Sequence, residues 1–449
     1  MAVRTFVLPL LALPFGLLSV LFGMDDAQYL KTSGLSSTAL QAQWQSPWIA
    51  GLDRDPELEV IVDRYLTDLE NQGWARPDQG IWIQAGSSAI AEHQGDVRLS
   101  AASLTKLATS LAALETWPLD HRFETRIGIS GTVEDGVLYG DLIVQGGGDP
   151  LFVWEEGIAL ANELQALGLR QVTGDILVLG DFTMNFEEDP TDSAVALKQV
   201  MSTPTWTGEV WEAYENLPVG TAQPGIQING EARIVSVAMA DRASAWVLRH
   251  QSLPMVAILK AMNIYSNNVM AEMVANLAGG PQAVVAKSAA AADIPASELS
   301  LVNGSGLGME NQMSARAAVA LLSTLQQKLE VQGFSVSDVL PVVGEDVGTL
   351  IDRRMPTKSA VKTGSLAEVS ALAGMVPTAE KGPVWFAIIN RGWAISDLRV
   401  QQDFLLQAMQ DHWGKADVPP AMEPKVRMQE GDYRYGDPAR IQPMQAPVE

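Results

Sequence analysis

Three short strings decide the fold of this chain: Ser103-Leu-Thr-Lys106, Ser266-Asn267-Asn268 and Lys362-Thr363-Gly364-Ser365. A serine hydroxyl is a weak nucleophile at neutral pH. An enzyme that uses one needs a nearby base, donors that stabilise an oxyanion and groups that hold the substrate. The strings contain residues of all these types. In this order they indicate nucleophilic catalysis by a serine.

The first string, S-x-x-K, stands where a helix is predicted to begin. Apolar residues continue to Trp117, so Lys106 lies one helical turn after Ser103 and on the same face. Free backbone N–H groups at the helix start favour negative charge near the serine. We expect Lys106 to act as the base if burial or the second cation, Lys362, keeps it neutral. A second S-x-x-K string at Ser359 shows that the pattern also arises by chance, but the predicted strand pair before Ser103 favours the first copy.

The second string, S-x-N, supplies two polar side chains. Ser266 is predicted to pass a proton between the leaving amine and Lys106, and Asn268 to hydrogen-bond the substrate amide. The alternative is an ordinary polar turn that caps the following helix. The string on its own favours that alternative, and only its order with the other two favours catalysis.

The third string, K-T-G, is predicted to lie at a strand edge. There Lys362 and the Thr363 hydroxyl are candidates to bind a terminal carboxylate. Gly364 lets a ligand approach the backbone closely. The backbone N–H of Ser365, paired with that of Ser103, is predicted to form the oxyanion hole.

The chain is long enough for several domains. The wide separation of the first two strings predicts a strand-rich domain, 123–240, inserted in a catalytic domain made of 56–122 and 241–414. Residues 25–55 are predicted to be a linker. Residues 415–449, rich in Pro, Met and charge, are predicted to be extended or disordered.

The N-terminus predicts export. Arg4 precedes an uncharged apolar segment, 5–24, so residues 1–24 are expected to be a signal peptide or an N-terminal anchor in the inner membrane, which places the protein in the periplasm. The formal charge of −23 argues against a nucleic-acid partner. The absence of cysteine excludes thiolate catalysis, and the four histidines lack the spacing of metal ligands.

Further strings extend the similarity beyond the three motifs. They are Gly140-Asp-Leu-Ile-Val-Gln-Gly-Gly-Gly-Asp-Pro150, Gly174-Asp-Ile-Leu-Val-Leu-Gly-Asp-Phe182, Asn303-Gly-Ser-Gly-Leu307, and Gly348-Thr-Leu350 with Arg353-Arg354. With them, the chain resembles the D-alanyl-D-alanine carboxypeptidase/endopeptidase family, the class C low-molecular-mass penicillin-binding proteins. The similarity runs from about Gly80 to Asn390.

The resemblance implies an α+β, penicilloyl-serine transferase fold of the β-lactamase/DD-peptidase type, with helices packed on an antiparallel sheet and a strand-rich domain between S-x-x-K and S-x-N. It implies hydrolysis of peptidoglycan stem peptides through an acyl-Ser103 intermediate, covalent inhibition by β-lactams, and no metal or organic cofactor. The inserted region from 190 to 219 departs from the family, which leaves the stem-peptide preference open.

Two alternatives remain at this stage. A β-lactamase would need a further base for rapid deacylation, and Glu212-Ala-Tyr-Glu-Asn216 matches the usual E-x-x-L-N string poorly. A non-catalytic wall-binding protein would keep the fold without turnover, yet all the catalytic side chains are present.

Overall fold

The computed structural model describes residues 54–444. The predicted export segment, 1–24, and nearly all of the predicted linker lie outside the described residues. Among residues 54–444, no helix combines the length and apolar character needed to cross a bilayer.

Three groups of elements follow one another along the chain. The first comprises α1 (Pro56–Asn71), β1 (Gln79–Ala85), β2 (Ser88–His93), β3 (Leu99–Ser100) and α2 (Thr105–Thr116). The second comprises β4 (Glu124–Glu134), β5 (Val137–Gly147), α3 (Trp154–Ala166), β6 (Gln171–Val172), β7 (Ile176–Asp181), α4 (Pro190–Val200), α5 (Gly208–Glu215), β8 (Gln227–Ile228), β9 (Ala232–Ile234) and β10 (Ala245–Gln251). The third comprises α6 (Met255–Tyr265), α7 (Asn268–Leu277), α8 (Pro281–Ala292), β11 (Leu299–Ser300), β12 (Gln312–Met313), α9 (Ala315–Glu330), β13 (Ala360–Leu366), β14 (Val369–Thr378), β15 (Gly382–Arg391), α10 (Ile395–Trp413) and β16 (Ile441–Pro443).

The first group and the third group without β16 form one domain around a five-stranded antiparallel sheet, in the order β13-β14-β15-β1-β2. Side chains of successive strand residues point to opposite faces. Ile81 and Ile83 therefore join the core under α1 and α10, whereas Trp82 joins the core that contains α2 and α9. β1 pairs with β15 although the two strands lie far apart in sequence. The second group is therefore an insertion in the chain of this domain.

The second group forms a separate sheet with its own core. With β16 of the third group added at one edge, its strands run in the order β16-β10-β4-β5-β6-β8, and β7 pairs with β5 and β9. Helices α3, α4 and α5 cover it through buried residues such as Ile158, Leu197 and Val210. The sheet reaches Gln251, beyond the predicted boundary at 240, because β10 completes it by pairing with β4.

The tail after residue 414 differs from the expectation of a disordered segment. Val418, Met422, Val426 and Tyr435 are buried in the core that contains α2 and α9, and β16 pairs with β10 of the second sheet. The tail runs over both domains mostly in extended and 3₁₀ conformations, so its apolar residues are buried one at a time. Val418, Met422 and Val426 are four residues apart, but Pro419, Pro420 and Pro424 interrupt any helix there, which is why the sequence pattern did not reveal the packing.

Candidate active site

Ser103 lies in a one-turn 3₁₀ helix, Ala102–Leu104, that leads directly into α2. The preceding residue, Ala102, has a φ of +46°, which is uncommon for a residue with a side chain. Its carbonyl packs against Gly306, where an added Cβ would lie 1.9 Å from the Ala102 oxygen. Only glycine fits there, so the turn that presents the serine is held from both sides.

Lys106 lies one turn further along, with its side chain fully buried. Its Nζ contacts three oxygens: Ser103 Oγ at 3.0 Å, Asn268 Oδ1 at 2.9 Å and the Ser305 carbonyl at 2.8 Å. Burial lowers the pKa of Lys106 to about 7, and the nearby Glu272 carboxylate opposes this lowering. The amine can therefore be neutral near physiological pH.

Ser266 and Lys362 form a second pair in the same cleft. Ser266 ends α6 in a left-handed conformation, φ +52°, and its Oγ accepts from Lys362 Nζ at 2.9 Å. The Lys362 Nζ also donates to the Thr363 carbonyl at 2.6 Å. Burial, and then the like charge of Lys106, hold the pKa of Lys362 well below its usual range.

The remaining K-T-G residues lie on β13, beside the serine turn. An added Cβ on Gly364 would lie 3.0 Å from the backbone nitrogen of Ser103, so the strand and the turn are in close contact. Thr363 Oγ1 donates to Thr349 Oγ1 at 2.9 Å, and Ser365 Oγ accepts from Arg399 Nη2 at 2.7 Å. Thr363 and Ser365, two positions apart on the strand, face the same cleft.

The structure brings together all eight residues that the sequence singled out. Five line a cleft of about 560 Å³, namely Ser103, Ser266, Asn268, Thr363 and Ser365. Lys106 and Lys362 are buried beneath it, and Gly364 packs against the serine turn. Within residues 54–444 we find no group of three or more His, Asp or Glu side chains placed to hold a metal ion.

Two further residues of the site were missed in the sequence. Glu272 accepts from the backbone N–H groups of Gly304 (3.1 Å) and Ser305 (2.9 Å), and so fixes the loop whose carbonyl contacts Lys106. Arg399 reaches the cleft from α10, one turn after the start of that helix. A signal existed for Glu272, because it lies four residues after Asn268 on α7 and therefore on the same helix face. For Arg399 no local pattern pointed to the cleft.

Comparison with known proteins identifies the fold. The chain superimposes on a penicillin G-acylated predatory endopeptidase from Bdellovibrio bacteriovorus with a TM-score of 0.65 and 20% sequence identity, over 81% of this chain and 99% of that one. Helices packed on an antiparallel sheet are the architecture of the penicilloyl-serine transferase class, and this chain carries an inserted domain in addition. The predicted fold class is confirmed.

The sequence comparisons identify the family. The model of the D-Ala-D-Ala carboxypeptidase 3 (S13) family matches residues 62–194 and 212–410. The chain is 28% identical over 442 residues to the D-alanyl-D-alanine carboxypeptidase of Actinomadura sp. (strain R39), covering 75% of this chain and 81% of that protein. It is 26% identical over 362 residues to carboxypeptidase DacB of Mycolicibacterium smegmatis, covering 70% and 77%.

The chain belongs to the D-Ala-D-Ala carboxypeptidase 3 (S13) family. The predicted enzyme class, a serine-type D-Ala-D-Ala carboxypeptidase, is confirmed. The gap between the two matched segments falls inside the 190–219 stretch that departs from the family, where α4 ends and α5 begins.

Proposed function

We propose that the enzyme cleaves the peptide bond between two D-residues of peptidoglycan stem peptides through an acyl-Ser103 intermediate, with Lys106 as the base. One observation carries this proposal. The buried Lys106 Nζ lies 3.0 Å from Ser103 Oγ, and its three polar contacts include no carboxylate.

Burial favours the neutral form of Lys106, and its partners can accommodate that form. A neutral amine has two N–H donors and one lone pair, whereas an ammonium has three donors. Asn268 Oδ1 and the Ser305 carbonyl can only accept, so they take the two N–H groups. The lone pair then points to Ser103 Oγ and can receive its proton as the hydroxyl attacks the substrate carbonyl.

The oxyanion of the tetrahedral intermediate would be held by the backbone N–H groups of Ser103 and Ser365. The close contact at Gly364 brings their two segments together. Backbone donors fixed in this way stabilise charge as it develops and need no reorganisation during the reaction.

Ser266 would relay the proton from Lys106 to the departing amine. The nearby Lys362 keeps the Ser266 hydroxyl oriented by donating to its oxygen at 2.9 Å. When the amine has left, water attacks the acyl-Ser103 ester, and Lys106 again takes the proton. The products are a shortened peptide and either a free D-residue or a separated cross-link.

β-Lactams are expected to acylate Ser103 because they mimic the D-alanyl-D-alanine end. The similar endopeptidase from Bdellovibrio bacteriovorus is acylated by penicillin G, which supports this expectation. Peptidoglycan as substrate requires export, so we also propose a periplasmic location, with residues 5–24 either cleaved or kept as an inner-membrane anchor.

Intact mass spectrometry with benzylpenicillin tests the proposal on three proteins: the wild type, Ser103→Ala and Ser359→Ala. Ser359 is the matched control, since it starts the second S-x-x-K string. It is fully buried, and its hydroxyl has no hydrogen-bond partner among residues 54–444. A stoichiometric adduct is expected on the wild type and on Ser359→Ala, and none on Ser103→Ala.

Other results would contradict the proposal. An adduct on Ser103→Ala would place the nucleophile elsewhere. A transient adduct with rapid loss of the drug would favour a β-lactamase. A folded wild type without any adduct would favour the non-catalytic wall-binding protein.

A further inference from the structure

Arg399 is a cation in the substrate cleft, and none of the carboxylates within residues 54–444 forms an ion pair with it. It lies one turn after the start of α10, is exposed, and lines the same cleft as Ser103 and Ser266. Its Nη2 donates to Ser365 Oγ at 2.7 Å. Across residues 54–444 it makes no ion pair; Asp352 and Asp403 act on it only from a longer distance.

The neighbouring Arg353 shows what a paired arginine looks like at the same place. Its guanidinium lies 2.7 Å from Asp403, and it also donates to Gln402 Oε1 at 3.2 Å. Only 5% of the Arg353 side chain is exposed. Its charge is therefore compensated within the protein, whereas that of Arg399 is available to a ligand.

Lys362, which the sequence suggested as a carboxylate ligand, is not available for that role. Its side chain is completely buried, and its Nζ already donates to Ser266 Oγ and the Thr363 carbonyl. A substrate carboxylate in the cleft therefore needs another cation. Arg399 stands beside Ser365 and so adds a guanidinium to the two hydroxyls that β13 presents to the cleft, those of Thr363 and Ser365.

We propose that Arg399, with the Thr363 and Ser365 hydroxyls, binds the carboxylate of the residue that leaves when the substrate is cleaved. Guanidinium and carboxylate match as a two-pronged, charge-assisted hydrogen-bonded pair, and Arg399 needs only to exchange its bond to Ser365 for one to the ligand. The enzyme then selects peptides with a free carboxylate next to the scissile bond over their amidated forms. This inference rests on the proposed function.

Equilibrium binding gives a test that needs no turnover. Titration calorimetry in the Ser103→Ala background compares an N-acylated D-Ala-D-Ala peptide that ends in a carboxylate with the same peptide ending in a carboxamide. Adding Arg399→Gln should weaken binding of the acid about 10- to 100-fold and leave binding of the amide unchanged. Arg399→Lys should fall between, since an ammonium keeps the charge but loses the planar fork.

Arg64→Gln is the matched control. Arg64 is an exposed arginine on α1 that does not line the cleft, so this variant changes the net charge equally and should leave both affinities unchanged. Equal weakening of acid and amide by Arg399→Gln would mean that Arg399 only positions Ser365, and would overturn the inference. So would an unchanged ratio of the two affinities.

A second comparison separates this inference from the proposed function. Rates of acylation by benzylpenicillin and by its methyl ester are measured on enzyme with Ser103 intact. The wild type should react faster with the free acid, and Arg399→Gln should lose this preference. If neither compound acylates the wild type, the acylation proposal fails, while the calorimetric comparison still decides on Arg399.

Discussion

Three lysines within residues 54–444 are completely or almost completely buried, and their surroundings fall into two kinds. Lys260, on α6, lies 2.6 Å from the Asp346 carboxylate and also donates to the carbonyls of Ser337 and Leu340. In contrast, Lys106 and Lys362 contact only hydroxyl, amide and carbonyl oxygens.

The difference separates a structural cation from a reactive amine. Burial lowers the pKa of Lys260 too, but the Asp346 charge opposes this and favours the ammonium. The pair ties α6 to the loop that follows residue 337, because Asp346 also accepts from the Val342 N–H at 2.8 Å. At Lys106 no carboxylate is in direct contact, so burial can bring the pKa to about 7 and free a lone pair.

The largest expected effect comes from Lys106→Met, which removes the reactive amine. We expect kcat/KM on a D-Ala-D-Ala peptide to fall about 10³-fold, the usual range for loss of a general base. The fold should not suffer, because no carboxylate loses its partner. An unchanged rate would assign the base to another residue.

Lys106→Met should also change how the stability of the protein depends on pH. The folded-state pKa of Lys106, about 7, lies below its unfolded value of about 10.4, so burying the charged form costs most at low pH. This cost is fully present below pH 7 and is relieved as pH rises toward the unfolded value. Thermal unfolding should therefore show a larger gain in Tm for Lys106→Met at pH 6 than at pH 9.

Lys106→Met mainly reduces activity, whereas Lys260→Met is expected mainly to reduce stability. It leaves Asp346 in a mostly buried site without its cation, which should lower the free energy of unfolding by about 3–5 kcal/mol. The double variant Lys260→Met/Asp346→Asn should recover part of this loss, because an amide oxygen can still accept from Val342. Urea unfolding measures both. Equal stability of single and double variants would show that the pair is not coupled.

The smallest expected effect is that of Glu272→Gln. The Glu272 charge raises the pKa of Lys106, so its removal should lower that pKa and move the acid limb of the kcat/KM–pH profile to lower pH, by less than about one unit. Glu310→Gln, an exposed change in the loop that carries Ser305, is the control and should leave the limb in place. A shift to higher pH would contradict the electrostatic role of Glu272.

Local patterns were sufficient for many elements of the fold. The apolar helix predicted after Ser103 is α2. The strands of the inserted domain were visible because β-branched and apolar runs alternate with Gly and Asp turns, as in β4, β5 and β7. The packing of the tail could not be predicted in this way. Val418, Met422 and Val426 are buried in the core that contains α2 and α9, which is formed by distant parts of the chain.

The sequence by itself determined which residues can do chemistry here, since three ordered strings supply a nucleophile, amines and hydroxyls of the required types. Tertiary structure alone decided their charge states and their hydrogen-bond partners. Lys106 meets Asn268 and the Ser305 carbonyl across 162 and 199 positions of sequence, and Arg399 meets Ser365 across 34. Desolvation and charge compensation depend on such neighbours in space, so the same residue type is a structural cation at Lys260, a candidate base at Lys106 and a buried donor at Lys362.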